Sequence, residues 1–297
     1  MSHEPEAEAR AAVAQLLGVL DLHSTGARTT EDIFTGDSQP QPGGRIFGGQ
    51  VLGQAIVAAA RTLPAERTAH SMHGYFLRPG DSGAPVTFSV DRIHDGRSFS
   101  TRRTQAFQDG VPIFSMIASF QDVSPGLEHE TPPPEGIPAP EDVAPSANAD
   151  RDAHPGSRRL FLDSPMELRH VSGAIFEDLP EEPRTSQAVW MRTRTALPDD
   201  PAVHRAALAY LSDLTIQETI LRAHGLSWAT PGLRIASLDH AMWWHRPARV
   251  DEWLLYMQES PSAQSGRGLA TGRFYTRDGE LVASSAQEVM VRVPREA

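Results

Sequence analysis

Two stretches of this chain repeat each other's punctuation at a fixed distance, and this limits the folds open to it more than any other feature. Leu77-Arg78-Pro79 is answered by His245-Arg246-Pro247, 168 residues on. An alternating apolar run follows in each copy, Val86, Phe88 and Val90 in the first and Trp253, Leu255 and Met257 in the second. That is the period of a half-buried strand. Each copy then offers two more strand-like stretches about an Asp-Gly pair. They run from Ser98 to Gln108 and Val111 to Phe120 about Asp109-Gly110, and from Gly268 to Arg277 and Glu280 to Val293 about Asp278-Gly279, 169 residues later. Asp-Gly between apolar alternations predicts a tight hairpin, because both central residues of a type I′ turn need positive φ. Two turns and an Arg-Pro pair kept in step over this distance predict two copies of one unit.

A helical stretch precedes the strands of each copy. Val51, Leu52, Ala55, Ile56, Ala59 and Ala60 keep helical spacing, and Pro64 ends the run. The second stretch, from about Ala206 to Ala223, carries Leu208, Leu211, Leu214, Ile216, Ile220 and Leu221, with Gly225 just past its end. An amphipathic helix from Ala11 to Leu22 reads as an N-terminal appendage. Between the copies, Asp122 to Gly156 holds Pro125, Pro132, Pro133, Pro134, Pro138, Pro140, Pro145 and Pro155 among acidic residues. Such a segment cannot pair regularly or bury enough apolar surface to order itself, so it predicts a linker. The expected divisions are 1–30 for the appendage, 31–121 for the first unit, 122–160 for the linker and 161–297 for the second unit. A long helix followed by an antiparallel meander, made twice, is an α+β arrangement of helices wrapped by curved sheet: a tandem, or double, hotdog fold.

Composition narrows the chemistry. There is no cysteine, so disulfides, thiolate catalysis and cysteine metal sites are excluded, and any nucleophile is a hydroxyl, a carboxylate or an activated water. A formal net charge of -11 argues against general nucleic-acid binding. No apolar run approaches the roughly 20 residues of a membrane span. The polar start, Met1-Ser2-His3-Glu4, lacks the basic and apolar stretches of a secretory signal, which makes the cytoplasm the expected location.

Three strings resemble a known family. Arg45-Ile46-Phe47-Gly48-Gly49-Gln50-Val51-Leu52-Gly53-Gln54-Ala55, His70-Ser71-Met72-His73-Gly74-Tyr75-Phe76-Leu77-Arg78-Pro79-Gly80-Asp81 and Asp239-His240-Ala241-Met242-Trp243-Trp244-His245-Arg246-Pro247 are similar to the acyl-CoA thioesterase II family, double-hotdog enzymes of bacteria and peroxisomes. The resemblance continues through Asp91 to Gln121 and Glu252 to Gln287. It implies hydrolysis of fatty acyl-CoA without cofactor or metal, by a water held between a carboxylate, a hydroxyl and an amide of the second unit. On the matching strings these are Asp213, Ser237 and Gln287. It also implies a homodimer or higher oligomer.

Residue chemistry is compatible with those roles. A thioester carbonyl is electrophilic and its thiolate leaves readily, so a positioned water suffices without a covalent intermediate. Asp213 would take the proton, with Ser237 and Gln287 setting the direction of attack. Gly48 and Gly49 open the first helix, where backbone N–H groups suit a developing oxyanion. At the repeat offset Gln287 corresponds to Ala118, so one active site per chain is expected. Each residue also has a plainer reading: Asp213 as a helix cap, Ser237 bonded to nearby backbone, Gln287 as a satisfied buried amide, and the glycines as packing positions. His240 and His245 read better as a structural corner than as acid–base groups. His70 and His73 read better as packed side chains than as metal ligands. Arg102, Arg103, Arg267 and Arg273 suit solvated strand faces. The competing functions are a non-catalytic acyl-CoA binder of the same fold and a hotdog enoyl-CoA hydratase. The hydratase needs an Asp–His pair on the central helix, and the next histidine after Asp213 is His224.

Overall fold

The computed structural model describes residues 4–27, 30–41, 43–146, 164–175 and 182–293. Among these residues thirteen strands form one antiparallel sheet. They are β1 (His23–Ser24), β2 (Asp32–Gly36), β3 (Thr68–Phe76), β4 (Val86–Asp95), β5 (Phe99–Gln108), β6 (Val111–Gln121), β7 (Met166–His170), β8 (Ser186–Thr193), β9 (Arg234–Ser237), β10 (Asp239–Trp244), β11 (Leu254–Gln264), β12 (Arg267–Thr276) and β13 (Leu281–Arg292). Their spatial order is β1-β2-β4-β5-β6-β3-β10-β13-β12-β11-β8-β7, with β9 added to β13. Read outward from the β3–β10 pair, β3-β6-β5-β4-β2 runs one way and β10-β13-β12-β11-β8 the other. The two series have the same connectivity, and Met72 pairs with Met242 where they meet.

Two helices pack against each other within the core. Helix α2 (Gly48–Ala60) is buried along most of its length, as its run of alanine, leucine and isoleucine requires. It packs antiparallel to α3 (Pro201–Ser212), with glycines at the crossing. A Cβ on Gly49 would overlap the main-chain carbonyl of Tyr210, and one on Gly53 would lie 3.0 Å from that of Ala206. The N-terminal helix α1 (Glu4–Leu20) lies against α2 through Leu16 and Leu20. It begins earlier and stops sooner than the expected Ala11 to Leu22, because Asp21 and Leu22 turn the chain into β1.

Four expectations need correction. The helix expected over Ala206 to Ala223 is two helices. The first ends with Asp213 as its C-cap, and α4 (Glu218–Ala223) starts after a turn in which the Leu214 and Glu218 N–H groups bond to Leu211 and Thr215 carbonyls. The second Asp-Gly pair is not a type I′ turn. Asp109 and Gly110 both have positive φ, 49° and 74°, whereas in the second hairpin only Gly279 does, at 91°. There Thr276 and Glu280 flank a three-residue loop, a type I turn closed by a left-handed glycine. The alternation chosen on β11 faces outward: Trp253, Leu255 and Met257 join an outer cluster, while Leu254 and Tyr256 enter the core and correspond to Val86 and Phe88. A strand covered on both faces reads as a continuous apolar run, so alternation cannot choose its inner side.

What covers that outer face is the described part of the proline-rich segment, the fourth correction. It orders by borrowing apolar surface from the sheet. Val143 packs with Trp190, Trp253 and Tyr275, and the Trp190 Nε1–H donates to the Pro138 carbonyl at 2.9 Å. Arg277 makes a two-pronged contact with Glu141, 2.8 Å on each arm.

Candidate functional site

The break after α3 is where the polar groups gather. Asp213 is 3% exposed, yet it reaches the wall of a cavity of about 510 Å³. Strand β9 brings Ser237 to the same point, and β13 brings Gln287 up behind it. Gln287 Nε2 donates to Asp213 Oδ1 at 2.8 Å and to Ser237 Oγ at 2.8 Å. Ser237 Oγ donates to Asp213 Oδ1 at 3.2 Å. The three residues named from the sequence therefore form one hydrogen-bonded cluster. Asp213 and Ser237 line the cavity, while Gln287 is fully buried and touches it only through them.

The glycines divide. The Gly49 backbone N–H donates to the Asp213 carboxylate, so it serves the acid and not the open cavity. Gly48 lines the cavity, and a Cβ there would sit 2.6 Å from Asp213 Oδ2. Burial pushes the Asp213 carboxyl up to about 6, and bonds from Gln287, Ser237, Gly49 and Gln217 hold it from rising further. A carboxylate with that poise takes a proton readily near neutrality.

Two further contributors were not placed in this cluster by the sequence, Gln217 and the His240 read there as part of a structural corner. Gln217 donates to Ser237 Oγ at 3.0 Å and also bonds Asp213, from one turn beyond the helix break. His240, fully buried, contacts Gln287 Oε1 through Nδ1 at 2.5 Å and Ser212 Oγ through Nε2 at 2.9 Å. Burial drives its ring down to about 4, so it is neutral at pH 7. The Asp213 carboxylate fixes the amide with Nε2 towards it, which leaves Oε1 facing His240; the single ring proton therefore sits on Nδ1, and Nε2 is an acceptor that shares the one Ser212 hydroxyl hydrogen with the Ala209 carbonyl. Ser212, His240, Gln287 and Asp213 thus form a directed chain of hydrogen bonds.

The other histidines and arginines weighed from the sequence are occupied elsewhere. His70 Nε2 pairs with Ser119 Oγ at 2.8 Å, His73 packs edge-on to Trp243, and His245 pairs with Ser284. Arg103, Arg267 and Arg273 pair with Asp91, Glu288 and Glu259 on exposed strand faces. Arg102 is not on a solvated face: it is 1% exposed and bonds Thr62, His94 and Asp95.

The rest of the cavity wall is mostly apolar, with Phe47, Val51, Phe76, Phe114, Leu214, Trp228 and Ile235. Trp228 is anchored by its Nε1–H to the buried Glu218, 3.2 Å away. Exposed Arg45 and Arg78 stand among the lining residues as well.

Residues 37–121 match the family described as the acyl-CoA thioesterase N-terminal domain, and residues 175–291 match the acyl-CoA thioesterase family. Human acyl-coenzyme A thioesterase 8 is 37% identical over 276 residues, covering 89% of this chain and 85% of that one. The chain belongs to the acyl-CoA thioesterase family. This thioesterase is also similar to a solved acyl-CoA thioesterase II from Mycobacterium marinum, with 41% identity, a TM-score of 0.77, and coverage of 94% of this chain and 99% of that one. A hotdog-fold protein from Alicyclobacillus acidocaldarius shares only 20% identity but superposes with a TM-score of 0.76 over 94% of this chain and 98% of its own. The thioesterase thus has a hotdog fold of the α+β class, and its family activity is hydrolysis of acyl-CoA thioesters.

Proposed function

We propose that this thioesterase cleaves fatty acyl-CoA to free fatty acid and coenzyme A by direct attack of a water placed by Asp213, Ser237 and Gln287. The observation that carries this reading is a buried carboxylate, poised near 6, at the wall of a mostly apolar cavity. Both hydrogens of the Gln287 amide are committed, so the longest bond of the cluster, Ser237 to Asp213 at 3.2 Å, is the one an entering water replaces. The water oxygen bonds to the thioester carbon as its proton passes to Asp213. The carbonyl oxygen, now an anion, lies by the N–H of Gly48, which as the first residue of a helix has no partner within it. Collapse breaks the carbon–sulfur bond, and the departing thiolate takes the proton back from Asp213. The apolar wall receives the acyl chain, while Arg45 and Arg78 suit the phosphates of coenzyme A.

In this reading the fold is a tandem of two hotdog units, residues 31–121 and 161–297, with 1–30 as an appendage and 122–160 as the connection. Tyr75, Ile117 and Trp243 remain exposed on central strands, which fits a homodimer or higher oligomer; a monomeric mass in light scattering would count against it. The cytoplasm is the location proposed.

The test is stopped-flow release of coenzyme A from octanoyl-, palmitoyl- and short-chain acyl-CoA. Release is expected to be linear from the first turnover, with kcat about 10²-fold lower in Gln287→Leu and KM little changed. A burst equal to the enzyme concentration, with the acyl group held covalently on the denatured protein, would mean an acyl-enzyme and rule out direct attack. Release from none of the substrates would leave a binding protein.

The hydrogen-bond chain adds a second expectation. His240→Leu removes the donor that orients Gln287 and is expected to lower kcat about tenfold, in line with the loss of one buried hydrogen bond. His240→Asn, whose amide replaces the Nδ1–H, should recover most of that rate. Equal losses in the two variants would reduce His240 to a packing residue.

A further inference from the structure

A second cavity, of about 230 Å³, lies at the other end of the α2–α3 pair, and its walls repeat those of the first. Gly48 and Val51 stand first and fourth in α2; Pro201 and His204 stand first and fourth in α3. Phe76, Arg78, Pro79 and Gly80 line the catalytic cavity, and Trp244, Arg246, Pro247 and Ala248, each 168 residues later, line this one.

The chemistry differs. Three N–H donors of the lining residues, His204 Nε2, Arg205 Nε and Trp244 Nε1, are buried and find no acceptor among the described residues. His204 is 4% exposed and Trp244 6%. His204 Nδ1 accepts the Val250 N–H at 3.2 Å, so the proton of the neutral ring lies on Nε2 and that atom is a donor. Arg246 is paired with Glu130 and Glu280, and Arg249 with Asp199 and Asp251. Arg205 makes no ion pair among the described residues, and its partial burial lowers its affinity for the proton. Buried donors are nearly always satisfied in folded proteins, so three orphans around one cavity mark a place for an acceptor. One unpaired cation calls for a single negative charge. Pro201, Leu208, Pro247 and Ala248 supply an apolar wall that a phosphate would leave unused.

We propose that this cavity binds a small monocarboxylate with an apolar body, its carboxylate on Arg205, His204 and Trp244 and its body against Leu208 and Pro247. The cavity is less than half the volume of the catalytic one, which favours a short chain. The duplicated position has thus kept a pocket for an acyl-like group while exchanging hydrolytic residues for anion-binding ones.

The experiment is calorimetric titration of octanoate into the protein with its catalytic cavity filled by the non-hydrolysable thioether S-octyl-coenzyme A. One octanoate per chain is expected, with Kd weakened at least tenfold in Arg205→Gln at an unchanged melting temperature. Trp244→Phe removes one donor but keeps the ring, and it should weaken binding several-fold even if Arg205→Gln does not fold. Absence of binding, or wild-type affinity in both variants, overturns the proposal. So does inorganic phosphate binding more tightly than octanoate at the same residues.

Discussion

Asp213→Asn is expected to lower kcat on any acyl-CoA the wild type hydrolyses by about 10³-fold, within the range for loss of a general base. The variant keeps the shape of the carboxylate but cannot take the proton from water. In the wild type, kcat/KM should fall tenfold per pH unit below about 6, because the base works only when ionised and burial has raised its carboxyl to about that value. A limb at the ordinary carboxylate range near 4, or one that persists in Asp213→Asn, would assign the base elsewhere. The same shift has a thermodynamic side. The folded carboxyl titrates near 6 and the unfolded one near 3.8, so between these values the folded state holds a proton that the unfolded state has released. Stability from this residue therefore declines as pH rises through that window and stays lost above it. The stability difference between wild type and Asp213→Asn should fall by up to about 3 kcal/mol between pH 4 and 7, measurable by urea unfolding at the two pH values. A constant difference would mean the carboxyl is not raised.

The largest effect on stability is expected from one methyl group. In Gly49→Ala the new Cβ overlaps the Tyr210 carbonyl, which is main chain within α3 and cannot rotate away. The two central helices must separate, at a cost of about 3 kcal/mol or more. Thermal and urea unfolding read this directly; a melting temperature within a few degrees of wild type would show that the helices have room. Gly48→Ala separates packing from chemistry. Its Cβ meets the Asp213 carboxylate at 2.6 Å and the Phe76 ring at 3.1 Å, both side-chain groups that can shift. The expected result is a smaller loss of stability and a fall in kcat of about tenfold or more, since misplacing a reacting group is costly.

The strands and hairpins were legible because their signals are local: alternation on β5 and β6, a left-handed Asp109-Gly110 pair, and apolar residues at helical spacing in α2. The gathering of Asp213, Ser237 and Gln287 at one point was legible by resemblance, since nothing within a serine's own neighbourhood distinguishes Ser237. The break at Asp213 was hidden because Leu214 and Ile216 continue the apolar period across it. What ends the helix there is tertiary, with Asp213 bonded to Gly49, Ser237 and Gln287 from three other elements. The place of Gln217 and of His240, read from the sequence as a structural corner, in this cluster was hidden for the same reason: their partners lie 20 and 47 residues away. The order of the proline-rich segment was hidden because the apolar surface it needs, around Trp190 and Trp253, belongs to another part of the chain.

The position of β13 in the sheet sets a schedule for the molecule's own manufacture. It bonds to β10, β12 and β9 and carries Gln287, yet it is the final strand of the sheet to be synthesised. Asp213 emerges 74 residues earlier, an interval of about 4 to 15 seconds at ordinary translation speed. Late in it the edges of β10 and β12 stand open once they are made, and Asp213 has neither Gln287 nor the ordered β9 that carries Ser237. A chain stalled before β13 therefore lacks the completed Asp213 cluster and presents two unpaired strand edges to its neighbours.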